Sequence, residues 1–113
     1  MSTPEGKVKE RIKDIFIRRG VWYCMPVAGL MGRAGVPDFI ACCNGKFIAV
    51  EAKSGKRKPT ALQSLALAAI RRTGGVALVV NEDNIKELEN MVDDAIGKEH
   101  SGVPRAGRGG GGS

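Results

Sequence analysis

Histidine is almost absent from this chain of 113 residues, since the only copy is His100. A Ser/His/Asp triad or a zinc site built on several imidazoles therefore has no raw material. Cysteine is scarce as well, because Cys24, Cys42 and Cys43 offer no spacing that holds zinc or an iron–sulfur cluster. We interpret the three cysteines as small buried hydrophobic residues in a reducing cytoplasm.

Long hydrophobic runs and aromatic residues are also few. The longest apolar stretch is far too short for a bilayer, and the polar start predicts no signal peptide. One Trp, one Tyr and three Phe leave most of the packing to aliphatic side chains. We predict one small domain over residues 1–100, whose modest core oligomerisation would help, and a disordered Gly/Arg-rich tail over residues 101–113.

Positive charge is in excess, with 18 Lys and Arg against 12 Asp and Glu and a net charge of +6. A polyanion is the natural partner of such a surface. Many of the basic residues in the first predicted helix could simply solvate that helix. This explanation is less suited to Lys56, Arg57 and Lys58, which stand together in one loop and are predicted to contact DNA backbone.

A second candidate DNA contact is Arg33, which lies in a glycine-rich segment over residues 28–35. Small residues permit close backbone approach, and an arginine can hold a phosphate through two hydrogen bonds. The segment is not a Walker loop, because no Gly-Lys-Ser/Thr follows it. The alternative is a flexible connector.

Hydrophobic periodicity and turn residues predict a chain of alternating helices and strands. We predict helices over 4–19, 59–73 and 83–97, and strands over 21–25, 36–43, 46–53 and 76–80. Asn44-Gly45 predicts a hairpin between the second and third strands. The apolar run over 76–80 follows a helix and predicts a strand parallel to the one that bears Glu51. The fold class is therefore α/β, with a small mixed sheet flanked by helices.

Three charged residues interrupt the apolar strands of this sheet: Asp38, Glu51 and Lys53. Charges rarely occupy such positions unless they are paired or hold a metal. Strand alternation projects Glu51 and Lys53 from the same face. Because Asp38 and Glu51 are at comparable distances from the hairpin turn, we expect their carboxylates to converge.

Two carboxylates beside an ammonium form an oxygen site that suits a hard divalent ion such as Mg²⁺. Lys53 would then orient or deprotonate a water, or neutralise charge on a phosphate in the transition state. The pattern therefore predicts a phosphodiesterase site.

These residues resemble the PD-(D/E)XK nuclease signature, and their surroundings are similar to its VRR-Nuc branch, particularly small stand-alone phage members. The similarity extends from about residue 3 to 84. The similar segments are Thr3-Pro4-Glu5-Gly6-Lys7-Val8, Arg33-Ala34-Gly35-Val36-Pro37-Asp38-Phe39, Glu51-Ala52-Lys53, Pro59-Thr60-Ala61-Leu62-Gln63 and Gly74-Gly75-Val76-Ala77-Leu78-Val79-Val80.

The resemblance implies a metal-dependent DNA endonuclease with the family's αβββαβ core plus a C-terminal helix. Its metal ligands would be Asp38, Glu51, the backbone carbonyl of Ala52, and Glu5 in the first helix, with Lys53 and Gln63 as further catalytic residues. The implied cofactor is Mg²⁺, for which Mn²⁺ can substitute. Stand-alone members are associated with homodimers that act on Holliday junctions, and a phage member would work in the bacterial cytoplasm.

Both helix residues in this set have simpler explanations. Glu5 falls on the same helix face as the apolar residue Val8, but an acidic residue in the first turn can merely complement the helix dipole. Gln63 lies at the border of a predicted buried stripe formed by Leu62, Ala66, Ala69 and Ile70. Its amide could reach the lysine or a phosphate, or it could be a solvated helix residue.

Two further functions compete with the predicted endonuclease. One is a non-catalytic nucleic-acid-binding module that keeps the fold and the basic surface. The other is a resolvase-like enzyme of another nuclease branch with the same chemistry. The intact set of carboxylates and lysine favours an enzyme, because a site that had lost its catalytic function is not expected to retain buried charges.

Overall fold

The computed structural model describes residues 3–27 and 34–97. The elements follow the order α1 (Pro4–Arg18), β1 (Trp22–Cys24), β2 (Phe39–Cys43), β3 (Lys46–Ala52), α2 (Ala61–Arg72), β4 (Val76–Val80) and α3 (Ile85–Ala95). This is an αβββαβ arrangement followed by a C-terminal helix. The predicted α/β class with a small mixed sheet is confirmed.

The four strands form one sheet in the order β1-β2-β3-β4. β2 pairs antiparallel with both β1 and β3, and β3 pairs parallel with β4. Asn44 and Gly45 close the β2–β3 hairpin with positive φ angles of 52° and 83°, as a type I′ turn requires. The parallel position of β4 follows from the crossover through α2, so this prediction is also confirmed.

Helices α1 and α3 cover one face of the sheet, which we call the closed face. From α1, Val8, Ile12, Ile15 and Phe16 are buried there, and α3 contributes Ile85, Leu88 and Val92. Beneath them lie the inward residues of the central strands: Phe39, Ala41, Cys43, Ile48, Val50 and Ala52. The Phe16 ring contacts both Phe39 and Tyr23, with centroids 6.0 and 5.5 Å away.

The first helix begins as its sequence predicts. Thr3 is the N-cap, and its hydroxyl accepts a hydrogen bond from the Gly6 N–H at 2.9 Å, while Pro4 occupies the first helical position. At the other end Arg19 joins α1 to α3, donating to Asp93 at 2.7 Å and Glu89 at 3.3 Å. The Arg19 contacts hold the C-terminal end of α1 against α3.

Helix α2 lies on the opposite face and covers only part of it, so we call this the half-open face. Leu67 is the buried residue of α2, packed against Ala49 of β3 and Ala77 of β4. The predicted stripe of Leu62, Ala66, Ala69 and Ile70 is only partly confirmed: Ile70 packs against this cluster and the two alanines are half-buried, but Leu62 is 54% exposed. They line an apolar groove with Val36, Pro37 and Ile40.

The β1–β2 side of the half-open face carries exposed apolar residues. Trp22 is 63% exposed, and alternation along the strands puts it on the same face as Cys24 and Cys42. The expectation of buried cysteines is met by Cys43 alone, because Cys24 and Cys42 are exposed. All three are free thiols.

Several predicted helices and strands were longer than the observed ones. β2 begins at Phe39, three residues after the predicted start at 36, so Asp38 lies in a bend just before the strand. Pro37 explains the late start, because it has no N–H to donate to a neighbouring strand. β3 ends at Ala52, which leaves Lys53 one residue beyond it, and α2 begins at Ala61 after its N-cap Thr60.

None of the helices within the described ranges is both long and apolar enough to span a bilayer.

Candidate active site

The β2–β3 hairpin brings Asp38 and Glu51 together. Phe39 is paired with Val50, so the same register continued by one residue sets Asp38 opposite Glu51. The backbone N–H of Ala52 donates to Asp38 Oδ2 at 2.9 Å, which fixes the carboxylate against β3. The two acids are close enough for the charge of Asp38 to raise the pKa of Glu51. Their convergence is what strand geometry predicts.

Glu51 is an unusual carboxylate because it is 1% exposed and lies inside the sheet. Its Oε1 atom is buried and has no hydrogen-bond partner. Burial is the main reason that the pKa of Glu51 rises from 4.5 to about 7; Asp38 adds to the rise and Lys53 opposes it. A buried acceptor left without a partner is costly, so this oxygen calls for a donor or a cation.

Lys53 supplies the positive charge on the same face. Its side chain is buried, and Nζ lies 3.6 Å from Glu51 Oε2. Its backbone N–H donates to the Val80 carbonyl at 3.0 Å, so β4 holds the residue immediately after β3 ends. Glu51 and Lys53 are two residues apart in sequence and therefore project from the same face, as the alternation of a strand requires.

Lys9 of α1 is a site residue that sequence reasoning missed. Its Nζ lies 3.6 Å from Asp38 Oδ1 and 3.9 Å from Glu5 Oε2. The i,i+4 spacing of Glu5 and Lys9 was a visible signal for a pair on one helix face. The contact with Asp38 was not visible, because it depends on how α1 packs across the sheet.

Glu5 reaches the edge of the site through Lys9. Its carboxylate is partly buried, consistent with a position on the inward face of α1. Within residues 3–27 and 34–97, no group of three or more His, Cys, Asp or Glu side chains is arranged to hold a metal ion. The described site therefore consists of the Asp38–Glu51 pair, with Glu5 beside it and Lys9 in contact with both Glu5 and Asp38.

Gln63 has a local structural role. Its Oε1 accepts from the Thr60 N–H at 2.8 Å, and its own N–H donates to Thr60 Oγ1 at 3.2 Å. These two hydrogen bonds form a capping box at the start of α2. The pattern Thr60-Ala61-Leu62-Gln63 was the sequence signal for it.

Gly35 fixes the approach of the chain to Asp38. Its φ angle is +80°, and a Cβ atom there would lie 2.6 Å from the backbone carbon and oxygen of Leu62. The loop before Asp38 thus packs directly on the first turn of α2, where only glycine fits. This close approach is to α2 of the same chain, and the other glycines of the segment lie outside the described residues.

The basic loop after β3 is anchored at Gly55, next to the predicted DNA-contact residues. Glu82 accepts from the Gly55 N–H at 2.8 Å, and the Asn81 side chain donates to the Gly55 carbonyl at 3.4 Å. Lys56, Arg57 and Lys58 are exposed. Arg33, the other predicted contact, lies outside the described residues.

No protein-family model, curated protein or solved structure matches this chain.

The residues present fit a hard divalent ion. Asp38 and Glu51 supply two neighbouring carboxylates, and the unpartnered Oε1 of Glu51 is a ready acceptor for a cation. The main chain of Ala52 lies against Asp38, so its carbonyl remains a candidate third oxygen. One or two carboxylates completed by water and substrate phosphate is the usual protein environment of Mg²⁺.

Proposed function

We propose that this protein is a divalent-metal-dependent DNA endonuclease of the PD-(D/E)XK type, similar to the VRR-Nuc branch. The observation that carries the proposal is the buried Glu51 carboxylate with an unpartnered oxygen, adjacent to Asp38 and 3.6 Å from Lys53. A fold retains such an unfavourable arrangement at a functional site more readily than in a structural core.

Each residue of the site has a distinct part in this proposal. Asp38 and Glu51, together with the Ala52 carbonyl, would hold Mg²⁺ or Mn²⁺, with Glu5 as a further carboxylate at the edge. A bound ion would supply positive charge at the scissile phosphate and would acidify the attacking water. As an ammonium, Lys53 would orient that water or neutralise charge that develops on the phosphate, and it would take a proton from the water only as the neutral amine. Gln63 supports the site through the first turn of α2.

DNA is the proposed substrate because the surface is basic. The net charge is +6, and three cations of the Gly55 loop are exposed next to the strand that bears Glu51. Branched DNA such as a Holliday junction, and a bacterial host cytoplasm, follow from the family resemblance.

A homodimer is the proposed assembly, since paired cuts in a symmetric junction need two active sites. The apolar residues exposed on the half-open face support it. Trp22, Leu62 and Leu65 are each more than half exposed, although large apolar side chains are normally withdrawn from water.

A non-catalytic DNA-binding module is the second candidate, and the anchored basic loop favours it. Such a loop binds phosphate whether or not the carboxylates hold an ion. The two functions differ in what becomes of the DNA, since the module binds it without cutting.

The test is a cleavage assay with four-way-junction, flap, single-stranded and plain duplex DNA, each in Mg²⁺, Mn²⁺ or EDTA. We expect cleavage in either metal and none in EDTA, with loss of cleavage in Lys53→Ala and Asp38→Ala proteins. Lys46→Ala is the matched control, because Lys46 is an exposed lysine at the other end of the same strand. Cutting that persists in EDTA or in Lys53→Ala would contradict the mechanism, and binding without cutting would favour the module.

A further inference from the structure

Lys9 occupies the position at Asp38 that a bound cation would need. Its ammonium lies 3.6 Å from Oδ1, while the other oxygen, Oδ2, is engaged by the Ala52 N–H. The oxygen that contacts Lys9 is therefore the one left for a cation. The lysine side chain is one-third exposed, so it has room to move away.

The contact differs from an ordinary helix-surface ion pair. Lys13 and Glu10 form such a pair on the same helix, within one turn and 3.1 Å apart. Lys9 spans two elements instead and contacts two carboxylates, Glu5 on its own helix and Asp38 before β2. Lys53 is buried and pairs with Glu51, so Lys9 is the partly exposed cation that offsets the charge of Asp38 and Glu5.

An ammonium and a divalent ion cannot both remain beside Asp38 without strong repulsion. Like charges a few ångströms apart repel by several kcal/mol even at the intermediate dielectric of a protein surface. Binding of the ion therefore requires Lys9 to leave Asp38, and the work of displacing it weakens the affinity of the site for metal.

We propose that Lys9 is a built-in competitor for the metal, which occupies Asp38 in the free protein and is released toward the substrate phosphate when the ion binds. This inference rests on the proposed function, since it assumes that Asp38 and Glu51 hold a divalent ion. Lys9 thereby weakens metal binding in the free protein, and a DNA phosphate would relieve the competition by offering the ammonium another anion.

The test measures Mn²⁺ binding to the full chain without DNA, by the loss of the free-ion electron paramagnetic resonance signal. We expect Lys9→Met to bind Mn²⁺ about tenfold more tightly than the unaltered protein, since the competing charge is gone but the aliphatic stem is kept. Lys9→Arg keeps the charge and should retain the weaker binding. Lys13→Met, which removes the same charge from the surface pair, should change the affinity less than twofold.

The outcomes separate this inference from the proposed function. Tighter binding in Lys9→Met alone, or binding that is measurable only in that variant, supports the competitor role. If the unaltered protein binds Mn²⁺ and Lys9→Met binds it equally or more weakly, the competitor role is wrong while the metal site stands. If neither binds, both proposals fail. A thermal melt provides a second readout, because the rise in Tm on adding Mn²⁺ should be larger in Lys9→Met.

Discussion

The two faces of the sheet follow different rules. The core of the closed face is built from apolar side chains of α1, α3 and the central strands. The half-open face has a small apolar cluster under α2, a charged group formed by Glu51 and Lys53, and an exposed apolar surface over β1 and β2. Burial on the closed face stabilises the fold. The buried charge and the uncovered apolar surface of the half-open face reduce that stability.

This difference indicates which face of a small domain can carry a functional site. With one face fully packed, the other can carry groups that are unfavourable for folding. Glu51 belongs to β3, and its two neighbours in that strand, Val50 and Ala52, are both in the closed-face core. One strand thus serves the core with alternate residues and the site with those between them.

The largest expected effect is the loss of a core side chain from the closed face. Phe16→Ala should lower the free energy of unfolding by about 3–5 kcal/mol, because Phe16 is fully buried and the change leaves a cavity. Leu65→Ala on the half-open face should change it by less than about 0.5 kcal/mol, since Leu65 is 66% exposed. Urea denaturation of both variants measures the difference. Equal losses would show that the faces do not differ in this way.

The next largest effect comes from the charge of Glu51 in metal-free protein. Below pH 4.5 the folded and unfolded states both hold its proton, so the group costs nothing there. Between pH 4.5 and about 7 only the folded state keeps the proton, so stability falls as pH rises. Above that range both states are ionised and the full cost, about 3 kcal/mol, remains.

Glu51→Gln should therefore be more stable than the unaltered protein at pH 8 in EDTA, with a gain that disappears toward pH 4.5. Urea denaturation at several pH values measures the gain, and Glu10→Gln on the surface of α1 is the control. A gain that stays constant across this pH range would contradict the assigned pKa.

Gly35 links the half-open face to the site, because the loop that carries Asp38 packs on α2 at this residue. Gly35→Ala should lower the free energy of unfolding by about 2–3 kcal/mol and reduce cleavage, because a Cβ would clash with the backbone of Leu62 and displace Asp38. Gly45→Ala is a matched control with a similar φ of +83° and no atom within 4 Å of the added Cβ. It should cost only the backbone strain, about 1 kcal/mol. Equal effects on cleavage would show that the close approach is unimportant.

The smallest effect concerns the basic loop. Glu82→Ala removes a negative charge and should nevertheless weaken DNA binding a few-fold, because Glu82 fixes Gly55 next to Lys56. Glu87→Ala removes the same charge from the exposed side of α3 and should leave binding unchanged or slightly tighter. Fluorescence anisotropy with a labelled duplex in EDTA compares the two. Tighter binding in both variants would mean that charge alone matters.

The sequence was sufficient for the order of helices and strands and for the carboxylate pair. Periodicity predicted α1, and Asn44-Gly45 predicted the hairpin that brings Asp38 to Glu51. These features depend on local rules, namely helix period, strand alternation and turn type. Where a local rule determines the geometry, the prediction held.

The remaining features depend on packing between distant segments. The buried stripe of α2 was only partly predicted because the helix covers part of the half-open face, so Leu62 stays exposed while Leu67 is buried. Lys9 was missed because Asp38 reaches it through the tertiary fold. Gln63 is different, because its role as a helix cap follows from the local pattern Thr60-Ala61-Leu62-Gln63 and needs no tertiary contact.

The most direct test of the shared-ion site is Mn²⁺ titration of three proteins: unaltered, Asp38→Asn and Glu51→Gln. If the two carboxylates hold the ion together, the unaltered protein binds Mn²⁺ and each substitution weakens binding by at least about tenfold. Glu82→Gln, an acid outside the site, should bind as the unaltered protein does. Unchanged Mn²⁺ affinity in Asp38→Asn and Glu51→Gln would contradict the shared-ion site and the nuclease mechanism built on it.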